Sequence, residues 1–172
     1  GVRVSIDLNY RPALWTGRDP RPVMRPLVAA CDVVIGNPGA VEAMLGVERG
    51  RGEGIEVLRA IAERLGSELG SRTVALTRRE IISASEHGWS AMLHDRATGE
   101  SHVSRRYQVR LADRVGGGDS FAAALIHATL DGRDAKAALE FAVAASALKL
   151  TIPGDFNRVT QDEVDRLLHS NA

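Results

Sequence analysis

Arg114-Val115-Gly116-Gly117-Gly118-Asp119-Ser120-Phe121 sets three consecutive glycines and a carboxylate against the start of a long apolar-periodic run. Glycines remove the Cβ atoms that keep a backbone away from an anion, and the first N–H groups of a helix carry the positive end of its dipole. Such a turn can hold a phosphate. Asp119, at its mouth, is then a candidate general base for a hydroxyl that attacks the bound group. A plainer reading is equally open on the local pattern, a strand-to-helix connection with Asp as its N-cap. The stretch is no Walker P-loop, since no Gly-Lys-Ser/Thr follows, and its glycine spacing fails the dinucleotide Gly-x-Gly-x-x-Gly. The remainder of the chain has to decide.

Downstream, Phe121, Ala124, Leu125 and Ala128 form one helical stripe ending near Gly132, and Leu139, Ala142, Val143 and Ser146 form the next, ending near Pro153-Gly154. A last helix is announced by the capping box Thr160-Gln161-Asp162-Glu163 and closes with Val164, Leu167 and Leu168. Upstream, Val2, Val4 and Ile6 alternate with polar residues in a strand ending at Asp7, and Val33 to Ile35 and Val74 to Leu76 read as short buried strands. Val23 to Ala30 and Ile55 to Leu69 carry apolar residues at helical steps between them. The stretch from Ile81 to Val109 reads as a strand excursion with turns. This alternation predicts an α/β fold of three layers, a mostly parallel sheet flanked by helices.

Composition bounds the function. At 172 residues, 44% hydrophobic and 26% charged, the chain can bury a core as a single domain over 1–172. Lys plus Arg and Asp plus Glu stand at 22 each, so no net field draws it to nucleic acid or to an anionic membrane, and neither is an expected partner. Small-molecule chemistry is the better expectation. The single cysteine, Cys31, excludes an intrachain disulfide and reads as a small buried hydrophobe. With no signal-type leader and no apolar run of membrane-spanning length, the expected location is cytoplasmic.

Ligands of open α/β sheets sit beyond the carboxyl ends of the strands. Asp7-Leu8-Asn9-Tyr10-Arg11-Pro12 follows the first strand, Gly36-Asn37-Pro38 the second and Thr77-Arg78-Arg79-Glu80 the third, while the glycine turn precedes the long helices. All four are expected to face one cleft.

Four of the chain's motifs, in order, carry a resemblance. They are Asp7-Leu8-Asn9-Tyr10-Arg11-Pro12 with Leu14-Trp15; Leu76-Thr77-Arg78-Arg79-Glu80 followed by Ser83-Ala84-Ser85 and Gly88-Trp89-Ser90; Asp113-Arg114 through Phe121; and Ile152-Pro153-Gly154-Asp155-Phe156-Asn157. Together they resemble the ribokinase-like (PfkB) sugar kinases, and within these the 2-keto-3-deoxygluconate kinases.

The resemblance implies an ATP- and Mg2+-dependent transfer of the γ-phosphoryl to the terminal hydroxyl of a sugar acid. Gly116, Gly117 and Gly118 match the anion hole and Asp119 the base. Arg11 matches an arginine that helps hold substrate or phosphate, and Asp155 an acidic residue near the sugar. Asn37, Thr77, Arg78, Arg79, Gly116 and Gly118 fall where the family passes the nucleotide. Plainer roles stay open: Arg11 as a strand-end cap or partner of Asp7, Asp155 as a turn residue, Arg78 and Arg79 as a solvated charge run. The family's Asn-x-x-Glu, which helps order magnesium, reads Asn37-Pro38-Gly39-Ala40 here, with the nearest carboxylate at Glu42. The metal ligands therefore stay unassigned.

Family members are roughly twice this length, beyond one average domain. The chain is accordingly expected to be the C-terminal, nucleotide-binding and catalytic part of a kinase, truncated at its N-terminal side, without the half that supplies the sugar pocket and lid. An exposed strand edge predicts self-association or association with the missing half. Little or no phosphorylation is expected from the isolated chain in a coupled ADP-release assay. The alternatives are another PfkB-type sugar kinase, or a truncated non-catalytic module that binds nucleotide or a partner.

Overall fold

The computed structural model describes residues 1–48, 50 and 54–170, so the last two residues of the 1–172 span lie outside it. The chain forms two compact units, Gly1–Thr77 with Met92–Ser101 and Arg78–Ala91 with His102–Ala172.

The first unit holds β1 (Ser5–Asp7), α1 (Arg21–Ala29), β2 (Val33–Gly36), α2 (Pro38–Leu45) and α3 (Ile55–Leu69). It also takes the first residues of β3 (Thr73–Ile81) and the last of β4 (Glu86–Asp95). β1 pairs with β2 and β2 with β3, both parallel, with Ile6 opposite Val34 and Val34 opposite Val74. Beyond β3 the sheet order continues through β4 to β5 (Glu100–Val103). The core is apolar at every layer: Val34, Val74 and Leu76 from the strands pack with Val28, Val41, Leu45, Leu58, Ile61 and Leu65 from the helices. The apolar periodicity of Ile55 to Leu69 thus emerges as α3, with Leu58, Ile61, Ala62 and Leu65 buried and Gly70 closing the helix at φ 76°.

Three expectations for this unit change. The first strand is shorter than its alternation suggested, because Val2 and Val4 are exposed and only Ser5–Asp7 ladder with β2. Cys31 is half-buried rather than buried, and its thiol donates to Leu27 O at 3.2 Å. The third strand is longer: β3 runs on to Ile81, so Thr77, Arg78, Arg79 and Glu80 lie within the strand instead of following it.

The second unit holds the remainder of β3 and β4, then β6 (Tyr107–Arg110), α4 (Gly117–Leu130), α5 (Ala135–Lys149) and α6 (Gln161–His169). β6 is antiparallel to β4, Trp89 facing Tyr107 and His87 facing Val109. The excursion from Ile81 to Val109 is therefore antiparallel at this end, while β1 to β3 supply the parallel part of the mixed sheet. α5 is buried almost all round, its alanines allowing close approach by α4. It ends at Lys149, earlier than the Pro153-Gly154 boundary suggested by its stripe. α6 starts as the capping box predicted: the Thr160 hydroxyl accepts from the Glu163 N–H, and the Glu163 carboxylate accepts from the Thr160 N–H at 2.8 Å.

Candidate active site

The glycine turn opens α4, and it does so without a side-chain cap. Gly116 is the N-cap, at φ 76°, and its carbonyl accepts the first helical bond from Ser120 N at 2.8 Å. Asp119 is therefore not the N-cap that the plainer reading required; it lies in the first turn of the helix. The initial N–H groups of an α-helix have no intrahelical acceptor, so they point out of the turn as donors.

Each glycine has its own reason. Gly116 needs its left-handed φ, and a Cβ there would stand 3.1 Å from Asp155 O and 3.1 Å from Lys149 Cε. A Cβ on Gly117 would come within 2.8 Å of Leu150 Cδ2, and the Gly117 carbonyl accepts from the buried Ser146 hydroxyl at 2.6 Å. A Cβ on Gly118 would meet no atom within 4 Å. Packing thus explains the first two glycines and leaves the third facing open space. Asp119 is exposed beside it, and among the described residues its carboxylate has no hydrogen bond or ion pair.

Behind the turn stands a clamp that the sequence reading missed. Asp113 Oδ1 accepts from Arg114 N at 2.6 Å and Val115 N at 3.2 Å, while Oδ2 accepts from Gly154 N at 2.9 Å. The Gly154 bond, followed by those from Val115 and Arg114, holds the Asp113 carboxyl below its usual range, with a further contribution from the Lys149 charge. Lys149 is fully buried and donates to Gly154 O at 2.8 Å and Ile152 O at 3.3 Å. A lysine closing the uncharged run Phe141 to Leu148 at the end of an alanine-rich helix was the available signal. Asn157 completes the arrangement by donating to the buried Ser120 hydroxyl at 3.0 Å. The structure therefore brings Asp155 to the turn through its backbone, while its side chain is exposed. A groove of about 310 Å³ runs beside α4, lined by Ser120, His127, Phe141, Asn157 and Thr160 among others.

Arg78 and Arg79 alternate across β3. Arg78 pairs with Glu80 at 2.5 Å, and Glu80 also pairs with Arg106 at 2.7 Å, which holds its carboxyl below the usual range chiefly through the Arg106 hydrogen bond. A Cβ on Gly88 would lie 2.5 Å from the Arg106 guanidinium, so this pair crosses the sheet over a glycine. Arg79 is exposed and has no ion pair among the described residues. Near it on the sheet lie His87 and Trp89, whose buried Nε2 and Nε1 have no hydrogen-bond partner among the described residues. Burial, with the charges of Arg114 and Arg79, depresses the His87 pKa.

The other candidates belong to the first unit. Arg11 is exposed ahead of a 3-10 turn over Pro12–Trp15 and donates to Tyr10 O at 3.2 Å. Thr77 donates to Gly36 O at 3.2 Å. Asn37 is the N-cap of α2, a helix absent from the sequence reading, and its side chain accepts from Ala40 N at 3.0 Å. The acidic position of Asn-x-x-Glu falls on Ala40, which is buried. Among the described residues no group of three or more His, Cys, Asp or Glu side chains is placed to hold a metal ion.

The start of α4 thus sets uncapped backbone donors beside a carboxylate that has no partner among the described residues. The pfkB family carbohydrate kinase model matches residues 2–161, and the chain belongs to that family. It is 29% identical to a 2-dehydro-3-deoxygalactonokinase of Haloferax volcanii over 98% of this chain and 48% of the relative. It is 24% identical to a 5-dehydro-2-deoxygluconokinase of Bacillus subtilis over 99% of this chain and 48% of that protein. The crystal structure of 2-dehydro-3-deoxygluconokinase from Thermotoga maritima superposes with a TM-score of 0.91 at 44% identity, covering 99% of this chain and 51% of that one. A ribokinase structure from the same organism, at 21% identity and TM-score 0.64, shares the fold. The fold is thus ribokinase-like, and the chain spans about half the length of the curated relatives it matches.

Proposed function

We propose that this chain carries the nucleotide and catalytic side of an ATP-dependent sugar kinase acting on 2-keto-3-deoxygluconate or a closely related keto-deoxy sugar acid. The observation that carries the reading is the start of α4: donors without a cap, Gly118 facing open space, and Asp119 without a partner among the described residues. The likeness to the Thermotoga maritima 2-dehydro-3-deoxygluconokinase supports the choice of sugar.

In this reading Asp119 takes the proton of the sugar's terminal hydroxyl as that oxygen attacks the γ-phosphorus in line. The N–H groups of Gly116, Gly117 and Gly118 stabilise the group in flight, so positioning and electrostatics supply most of the catalysis. Arg79 is the better of the two arginines for offsetting phosphate charge, because Arg78 is already paired with Glu80. The groove beside α4 is sized for the nucleotide base. Magnesium, held mainly by its waters and the substrate phosphates, would neutralise phosphate charge at a site with few protein carboxylates. Arg11 and Asp155 are assigned to the sugar acid, Asn37 and Thr77 to the nucleotide, in a cytoplasmic enzyme that self-associates or pairs with a sugar-binding half.

The test is calorimetry with ATP and magnesium, followed by ADP release with 2-keto-3-deoxygluconate and a panel of other sugars. Binding of the nucleotide, and an Asp119→Asn variant that keeps this affinity while losing whatever turnover the chain supports, are the expected results. No nucleotide binding, or equal loss of affinity and turnover in the variant, would overturn the reading.

A further inference from the structure

Lys149 is the one lysine among the described residues whose side chain the fold buries completely, and it does so directly behind the glycine turn. Its Cε lies 3.1 Å and its Nζ 3.7 Å from the position a Cβ on Gly116 would take. Removing an ammonium from water is costly unless the charge is paired and its protons are bonded. Here the partners are two neutral carbonyls, those of Gly154 and Ile152. No carboxylate lies within 4 Å of Nζ among the described residues, and the nearby acid, Asp113, is already occupied by the N–H groups of Arg114, Val115 and Gly154. The positive charge is therefore held in place without being cancelled by a close ion pair.

Two loops meet at this point. The Asp113 carboxylate ties Gly154 N to the strand-end side of the turn, and the Lys149 ammonium ties Gly154 O to the end of α5. Gly154 is itself at φ 81°, a conformation in which both its N–H and its carbonyl are used. The Asp155 carbonyl then closes on Gly116. Loosening either tie would free the N-cap that aims the first N–H groups of α4.

We infer that Lys149 is a positioning residue of the phosphoryl-transfer turn, pinning Gly154 against Gly116 and placing a positive charge with no close ion-pair partner among the described residues behind the N-terminus of α4. The role rests on the kinase reading in one respect, that the anion drawn by this charge is a nucleotide phosphate. Lys149 itself touches neither ATP nor sugar; it acts through the backbone of Gly116 and Gly154.

The pin and the charge are separable. Lys149→Met removes both, whereas Lys149→Gln keeps a donor for the carbonyls and loses the charge. Amide hydrogen exchange reads the pin. In Lys149→Met, exchange at Ser120, Val115 and Gly154 should quicken about tenfold or more, while the last turn of α4 keeps its protection. Lys149→Gln should restore that protection. Calorimetry with ATP and magnesium reads the charge: affinity should fall about tenfold in both variants, the Gln variant included. Unchanged exchange in Lys149→Met would overturn the pin, and wild-type nucleotide affinity in Lys149→Gln would overturn the charge, a result that also stands if Lys149→Met fails to fold. A wild-type chain that binds no ATP would overturn the kinase reading, and the exchange measurement would still decide the positioning role.

Discussion

Two helices in this molecule begin just after a strand or a strand-end loop, and they begin differently. α2 starts at Asn37, whose side chain accepts from Ala40 N, with Pro38 supplying a fixed φ at N1. α4 starts at Gly116 with no side-chain acceptor, and its first-turn carboxylate, Asp119, has no partner among the described residues. One helix end is satisfied by its own chain. The other has no side-chain acceptor for its first donors among the described residues, and the proposed phosphate site rests on that difference.

The contrast is breakable in several ways. The largest expected effect is that of Asp119→Asn on phosphoryl transfer, read in the full-length context with the sugar-binding half present: a loss of about 10²- to 10⁴-fold in kcat with ATP affinity nearly unchanged. Because Asp119 is exposed and unpaired among the described residues, thermal unfolding of the variant should stay close to wild type; a stability loss comparable to the activity loss would make it a structural residue. Gly116→Ala comes next. It forces a side chain into a left-handed φ against the Asp155 carbonyl, and chemical denaturation should register a cost of about 1–3 kcal/mol.

Asn37→Ala should cost about 1 kcal/mol through the lost α2 cap. Its assignment to the nucleotide predicts a loss of ATP affinity as well; ATP affinity unchanged in the variant would leave Asn37 as a helix cap alone. Gly118→Ala should leave stability within about 0.5 kcal/mol, since no protein atom meets the new methyl, yet weaken binding of ATP with magnesium. Unchanged ATP affinity would show that nothing approaches the third glycine.

The smallest effect concerns acid. The Asp113 carboxyl titrates below its unfolded value, so in the window between the two values the unfolded chain binds the extra proton and stability rises with pH. The contribution is complete above the unfolded value near 4 and fades as pH falls toward the lower folded one. Asp113→Asn should therefore lower stability most at neutral pH, where the contribution is complete, and flatten the acid limb, with variant and wild type converging as pH falls. An acid limb identical to wild type would remove Asp113 from the clamp.

Much of this is legible in the chain itself. The three-residue and four-residue steps of Ile55 to Leu69 specify a helix with those same ends, because an amphipathic period and a terminal glycine are local properties. The capping box at Thr160 and the glycine turn are equally readable, since caps and tight turns act over three or four residues. α2 escapes the pattern, although Asn37-Pro38 is a helix start, because its short apolar run follows a strand and resembles a loop. The length of β3 is hidden because charged Arg78, Arg79 and Glu80 look like a loop until partners across the sheet, such as Arg106, are in place.

Local pattern carries the α/β alternation, the order of the family motifs and the turn from Gly116 to Asp119, all written in residues close to one another along the chain. The folded chain alone shows why Gly116 and Gly117 are glycine, that Asp119 lacks a partner among the described residues, and that Lys149 and Asp113 clamp the turn from behind. Those facts depend on contacts such as that between Asp113 and Gly154, forty-one residues apart, and on the burial of a charge that no local pattern foretells.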